Sequence, residues 1–154
     1  MVQKNLVEQL MNNRLLRTKE EIGLFESSIE SLMDLGEESL ISDLCSGFDD
    51  STEHNEAMFG LVHAIESLDI VYGQENALRK LAGSLPALFP HAKGWAVILN
   101  KRILNHDPSL IKYAEVVKDL DPDKKELITS LVREIKEEPS RKFETAGATF
   151  LTQM

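Results

Sequence analysis

The sequence predicts an all-α protein, and three observations carry this prediction. Apolar residues recur every three or four positions along most of the 154 residues, which is the spacing of an amphipathic helix. No segment alternates between apolar and polar residues as a half-buried strand does, and the Asn-Gly and Asp-Gly pairs typical of hairpins are absent. The length indicates one domain or at most two very small ones, and we predict a single helical domain over residues 1–154. We expect about eight antiparallel helices, arranged as an irregular bundle or as a short stack of helix pairs.

Three helices are predicted before residue 49. The first repeats apolar residues at helical spacing over residues 6–15. Thr18 and Glu21 form a capping box that begins the second helix, and Gly36 is placed to end it. The third follows an apolar stripe over residues 40–48 that includes Cys45. A single cysteine can form neither an internal disulfide nor a Cys-based zinc site. Because Cys45 lies on the apolar stripe, we interpret it as a small core residue rather than a reactive thiol.

The remaining helices are separated by polar or proline-containing joints. A polar break at 49–55 precedes a fourth helix over 56–68, and a short apolar link leads to a fifth over 74–85. A connector with two prolines precedes a sixth helix over 94–105. Asp107-Pro108 and Asp121-Pro122 each place an N-cap acid before a first-turn proline, which predicts two more helices. The tail over 140–154 is either flexible or docked as a short helix around Phe143 and Phe150.

Charge is distributed unevenly. The chain carries 26 acidic and 17 basic residues, for a net charge of −9. Residues 18–69 hold 14 acids and a single base, Lys19, so this segment alone has a net charge of −13. This sign disfavours nucleic acid as a direct partner, whereas it can steer a basic protein. The alternative is a solvated helical face that serves solubility.

The fourth helix has two different faces. One is a complete apolar stripe that ends at Leu68, and the opposite face places Phe59 between His63 and Glu66. An aromatic side chain flanked by carboxylates and a histidine is typical of an interface with a basic partner. If instead the helix buries both faces, His63 and Glu66 should form a satisfied buried polar pair.

Catalytic motifs are absent from the sequence. None of the metalloprotease, nucleophile-elbow or phosphate-loop patterns occurs. Glu56, His63 and Glu66 share a helical face that could hold a metal, but the di-iron pattern Glu-x-x-His is not present there. A metal-dependent helical enzyme is therefore the least favoured hypothesis. We predict no catalytic residues, no metal and no cofactor.

One aromatic and four cations complete the set of candidates. Trp95 lies in the first turn of the sixth helix, where a core anchor is favoured over a ligand contact. A milder basic face in the later helices is expected either to pair internally with the acidic helices or to remain solvated; it comprises Lys101, Arg102, Lys112 and Lys118.

The segments EHNEAMFGLVHAIE at 53–66 and WAVILNKRILN at 95–105 resemble the all-helical immunity proteins of bacterial polymorphic toxin systems. The resemblance extends over residues 53–119. It implies a cytoplasmic, non-enzymatic protein that binds and neutralises one toxin domain, as in contact-dependent growth inhibition. It assigns no toxin-contacting residues.

Resemblance and charge together give a hypothesis for function. Many toxins of this kind are nucleases with basic clefts, and an acidic surface could occupy such a cleft or dock beside it. We predict a partner-binding surface made of seven residues: Asp49, Asp50, Glu53, Glu56, Phe59, His63 and Glu66. The alternative is a small helical-repeat adaptor that binds a cellular protein. No apolar run is long enough to span a bilayer, so we expect no membrane partner; the oligomeric state is left open.

Overall fold

The computed structural model describes residues 2–154, and these residues form helices and connecting turns without any strand. The all-α prediction is confirmed. The helices are α1 (Val2–Asn12), α2 (Lys19–Leu35), α3 (Leu40–Cys45), α4 (Asn55–Ser67), α5 (Asp69–Tyr72), α6 (Gln74–Ser84), α7 (Lys93–Leu104), α8 (Asp107–Lys118), α9 (Pro122–Lys136) and α10 (Glu144–Thr152). A short 3-10 turn, Leu85–Leu88, follows α6. No helix in the described part of the chain is both long enough and apolar enough to cross a bilayer.

The chain divides into two compact units. The first unit is the chain up to Leu68 together with Ala87–Trp95, and the second unit is Asp69–Pro86 together with Ala96–Met154. Each unit has its own buried apolar side chains. The prediction that residues 1–154 form one domain stays a prediction.

In the first unit, α2 packs against α1, α3 and α4. Its start is the predicted cap: the Thr18 hydroxyl accepts a hydrogen bond from the Glu21 amide at 3.1 Å. The Glu21 carboxylate reaches back one residue further than a capping box requires and accepts from the Arg17 amide at 2.8 Å. The helix ends as predicted at Gly36, whose φ of +62° lies in the left-handed region that glycine favours.

In the second unit, α6 packs against α8 and α9 packs against α10. Asp121 caps α9 as predicted, because its carboxylate accepts from the Lys124 amide at 3.2 Å. The predicted cap at Asp107 is wrong by one residue. His106 occupies the N-cap of α8, with its Nδ1 2.7 Å from the Ser109 hydroxyl oxygen, and Asp107 is the first helical residue.

Two segments that the sequence did not firmly assign to a helix are helical. The apolar link after Leu68 forms α5, and Gly73 with a φ of +81° separates α5 from α6. The C-terminal tail contains α10, which is docked against α9, with Phe143 and Phe150 buried. Of the two states predicted for the tail, the structure has the docked one.

Candidate functional site

Helix α4 has one buried face and one exposed face, as its sequence predicts. The buried face comprises Met58, Leu61, Val62 and Ile65. On the opposite side Glu56, Gly60, His63 and Glu66 are exposed and Phe59 is half-buried. We call these five residues the α4 outer face. The helix begins after His54, whose Nδ1 accepts from the Ala57 amide at 3.1 Å, so this histidine caps the helix.

Phe59 belongs partly to the core and partly to the surface. Its ring contacts the edge of Trp95 with centroids 5.1 Å apart and ring planes at 74°. Trp95 is itself buried and stacks on Phe48 at 5.9 Å. The prediction that Trp95 is a core anchor is confirmed. Phe59 is therefore held by a rigid aromatic cluster while part of its ring stays accessible, which suits an anchor residue of an interface.

The alternative in which α4 buries both faces is wrong. It requires His63 and Glu66 to form a buried polar pair, but both side chains are exposed. Their exposure follows from helical geometry: His63 lies one turn after Phe59, and Glu66 one turn further along the same side. The outer face of α4 is thus available to a partner over about three turns.

Glu53 lies just before α4 with an exposed side chain. Its backbone amide donates to the Leu15 carbonyl at 2.7 Å, which fixes the loop that leads into α4. The carboxylates of Glu53 and Glu56 therefore project from an anchored segment at the start of the helix.

Asp49 and Asp50 are engaged inside the first unit. Asp49 forms an ion pair with Arg14 at 3.2 Å, and its side chain is only 14% exposed. The Asp50 carboxylate accepts from the Gly94 amide at 2.9 Å and from the Trp95 amide at 3.2 Å, so it caps the first residues of α7. These contacts give both residues a role in the fold, and their predicted role in binding stays a prediction.

Gly94 is a residue whose role the sequence did not reveal. A Cβ added there would lie 2.8 Å from Asp50 Oδ1, closer than real contacts of this kind. A glycine at this position lets the carboxylate of Asp50 approach the helix amides. The contact between Gly94 and Asp50 joins residues 44 positions apart. No local sequence pattern predicts a contact over this separation.

Helix α2 carries a row of acids that belongs to the acidic segment 18–69 and lies outside the seven residues predicted to bind a partner. Glu26, Glu30 and Asp34 are spaced four residues apart, and all three are exposed. Like charges at this spacing destabilise a helix by about 0.2–0.5 kcal/mol per pair. Asp34 also lies in the last turn, where the helix dipole disfavours an acid. The helix thus carries these charges at the expense of its own stability.

The other candidate chemistries receive no structural support. Among residues 2–154, His, Cys, Asp and Glu form no group of three or more that could hold a metal ion. Cys45 is buried, and burial raises the pKa of its thiol to about 12, so the thiolate nucleophile is scarce at neutral pH. The predicted core placement of Cys45 is confirmed.

Lys101 and Lys112 of the predicted basic face form ion pairs within the protein. Lys101 contacts Glu138 at 2.7 Å, and Lys112 contacts Glu115 at 3.3 Å and Glu75 at 3.6 Å. All of these residues belong to the second unit. The carboxylate partners lie outside the acidic segment 18–69, so the predicted pairing of Lys101 and Lys112 with the acidic helices is wrong.

An all-helical fold is what the resemblance to immunity proteins of toxin systems implies, and a comparison with protein families identifies the same class. The model of the family described as Immunity protein 30 matches residues 12–113, about two thirds of the chain. The chain belongs to this family. No significant match is found among curated proteins or among solved structures.

The family match extends the resemblance toward the N-terminus. The sequence resemblance begins at residue 53, whereas the match begins at residue 12 and so includes the whole acidic segment 18–69. Membership of an immunity family implies a cognate toxin as the protein partner and neutralisation of that toxin as the function. Such families are generally non-enzymatic.

Proposed function

We propose that this protein neutralises a basic, nuclease-type toxin domain by binding it through an acidic surface on the first unit. The surface consists of the α4 outer face together with Glu53. The observation that carries the proposal is the location of charge: the first unit holds 14 acidic and 5 basic residues, and the second unit holds 12 of each. The whole net charge of −9 therefore belongs to the unit that contains α4.

The charge supports a basic partner through long-range attraction. A protein surface of one sign raises the association rate with a partner of opposite sign and suppresses binding of like-charged molecules. A nuclease binds a phosphate backbone, so its cleft carries the positive charge that this surface complements. The same field repels nucleic acid from the immunity protein itself.

Phe59 supplies the short-range part of the proposed contact. Steering accelerates encounter, but a long-lived complex needs side chains that exclude water at the centre of the interface. The Phe59 ring is fixed by Trp95, so little side-chain entropy is lost when a partner covers it. His63 and Glu66 continue the surface along the helix.

Asp49 and Asp50 enter the proposal as positioning residues of this surface. Asp49 ties the 49–54 loop to Arg14, and Asp50 ties it to the start of α7. Together they fix the segment from which Glu53 projects. By the resemblance, the proposed setting is the cytoplasm of a bacterium that carries a polymorphic toxin, as in contact-dependent growth inhibition.

Calorimetric titration tests the proposal directly. The ligand is the C-terminal domain of the toxin encoded immediately upstream of this gene, measured at about 50 mM and about 300 mM NaCl, where the screening length differs more than twofold. We expect nanomolar 1:1 binding that weakens at the higher salt concentration. Tight binding that is indifferent to salt would keep the inhibitor and remove the acidic surface, and absence of binding would favour the adaptor hypothesis.

A pair of double variants locates the surface. Glu53→Lys with Glu56→Lys should raise the Kd at least about tenfold, because two attractive charges become repulsive, and the defect should grow as salt falls. The control is Asp119→Lys with Glu137→Lys, which changes the net charge equally at two exposed helix C-caps of the second unit. Equal loss of affinity in both double variants would show that only total charge matters and would contradict the proposed location.

A further inference from the structure

Gly60 has no reason within the described structure to be a glycine. Most of the eight glycines do have one: Gly36 and Gly73 adopt positive φ, and a Cβ at Gly47, Gly94 or Gly147 would lie closer than 3.0 Å to a neighbouring atom. Gly60 is helical and exposed in the middle of α4, and a Cβ added there would meet nothing within 4 Å. Alanine would therefore fit and would favour the helix more than glycine does.

The surroundings of Gly60 indicate what the missing side chain makes possible. Glu56 lies one turn before Gly60 and His63 one turn after it on the same side of the helix. Phe59 is the adjacent residue, with its ring 6.5 Å from that of His63. Without a Cβ at Gly60, the helix backbone borders open space at a position flanked by Glu56, Phe59 and His63.

The charge near Gly60 indicates which kind of side chain would occupy the open space there. Helix α4 contains no Lys or Arg, and Lys19 is the only such residue over 18–69. Arg and Lys side chains have an apolar stem that packs on aromatic and backbone surface, and a cationic end that pairs with carboxylate. The open space at Gly60, next to Phe59 and one turn from Glu56, suits both parts of such a side chain.

We propose that Gly60 is the point of closest approach to the toxin, where a Lys or Arg of the toxin lies across α4. The stem of that side chain contacts Phe59 and the Gly60 backbone, and its cation pairs with Glu56. This inference rests on the proposed function, because it assigns the occupant of the same acidic surface. It adds a residue, Gly60, that charge and aromatic content alone do not identify.

Gly60→Ala tests the inference because stability and binding should change in opposite directions. The melting temperature of the free protein should rise by about 1–4 °C, as expected for alanine in place of glycine within a helix of a chain of this size. The Kd for the toxin domain should rise at least about tenfold, because the Cβ fills the space taken by the toxin side chain. A Kd equal to that of the wild type would overturn the inference.

Gly23→Ala is the matched control. Gly23 is likewise exposed within a helix, α2, and a Cβ there also meets nothing within 4 Å. We expect the same rise in melting temperature and an unchanged Kd. Equal weakening by Gly23→Ala and Gly60→Ala would assign the effect to stiffer helices in general, which would also overturn the inference.

A double-mutant cycle tests the proposed cation. If one toxin side chain contacts both positions, Glu56→Gln combined with Gly60→Ala should raise the Kd by less than the product of the two single effects. Multiplicative effects would contradict a shared occupant. Salt-sensitive binding by the wild type with unaffected binding by Gly60→Ala would refute this inference alone, whereas no wild-type binding would refute the proposed function and the inference with it.

Discussion

The two units of this protein differ in how their charges are balanced. The second unit has twelve acidic and twelve basic residues. Some of them form ion pairs with each other, such as Lys101–Glu138 and Lys112–Glu115. The first unit has fourteen acidic and five basic residues, and acids on α2 such as Glu30 are exposed. A net charge of −9 averaged over the chain hides this difference. The location of the charge, not its size, is the basis of the proposed docking of a basic partner on the first unit.

The units also differ in where they place polar groups. The second unit buries a side-chain pair completely: the Tyr113 hydroxyl donates to Asn100 Oδ1 at 2.7 Å, and Asn100 in turn donates to the Ala96 carbonyl at 2.8 Å. Burial raises the pKa of Tyr113, so its hydroxyl stays a donor at any physiological pH. The second unit thus buries a hydrogen bond between two side chains, whereas most of the acids of the first unit are exposed.

The largest effect is expected in the second unit. Tyr113→Phe removes the donor and leaves Asn100 Oδ1 buried without it, so the free energy of unfolding should fall by about 1–3 kcal/mol. Urea denaturation followed by circular dichroism measures this change. Toxin affinity, read by calorimetry under folded conditions, should be unchanged.

The control for this prediction replaces both partners. Tyr113→Phe with Asn100→Leu removes the unsatisfied oxygen, so part of the lost stability should return. A single variant as stable as the wild type would show that the buried pair does not stabilise the second unit, and the contrast between the units would then rest on surface charge alone.

A smaller effect of opposite sign is expected on α2. Glu30→Lys converts two repulsive contacts, with Glu26 and Asp34, into attractive pairs at four-residue spacing, so the free energy of unfolding should rise by about 0.8–2 kcal/mol. Denaturation at low salt measures the gain. Glu30→Gln, which removes charge without creating pairs, should give a smaller gain. If Glu30→Lys lowered the free energy of unfolding, repulsion within the acidic row would not be destabilising α2.

The smallest effect concerns Glu21 at the start of α2. Hydrogen bonds from the Arg17 side chain and then from its backbone amide lower the pKa of Glu21 below the ordinary 4.5. A carboxylate whose folded pKa is lowered stabilises the fold above its ordinary pKa, and this contribution is lost as the pH falls through the lowered value. NMR titration of the Glu21 carboxyl should show the lowered pKa, and Arg17→Ala should raise it. Titration at the ordinary value in the wild type would contradict the pairing.

Much of the fold was predictable because its signals are local. Thr18 and Gly36 mark the ends of α2 through residues within one turn, and the apolar stripe of α4 follows from its spacing alone. The error at Asp107 has a local cause as well. His106 contacts Ser109 three residues later and takes the capping position, a pairing less common than the Asp-Pro pattern that the sequence presents.

The site was less predictable because its partners are distant in sequence. Acidity placed Asp49 and Asp50 on the candidate surface, yet their contacts with Arg14 and Gly94 join segments that no periodic pattern relates. The buried and exposed sides of α4 were predictable, because the spacing of its apolar residues defines two faces. The open space at Gly60 was not predictable, because it depends on how the neighbouring elements pack around α4.

Cys45 gives the first unit a built-in reporter of its own opening. The protein has this one thiol, and it is 1% exposed. A thiol-specific reagent can therefore label the chain only when the region around α3 exposes its interior, and the labelling rate reads how often that happens. Because a ligand stabilises the state it binds, a toxin bound at α4 should slow labelling of Cys45. The labelling rate would therefore report complex formation without an introduced probe.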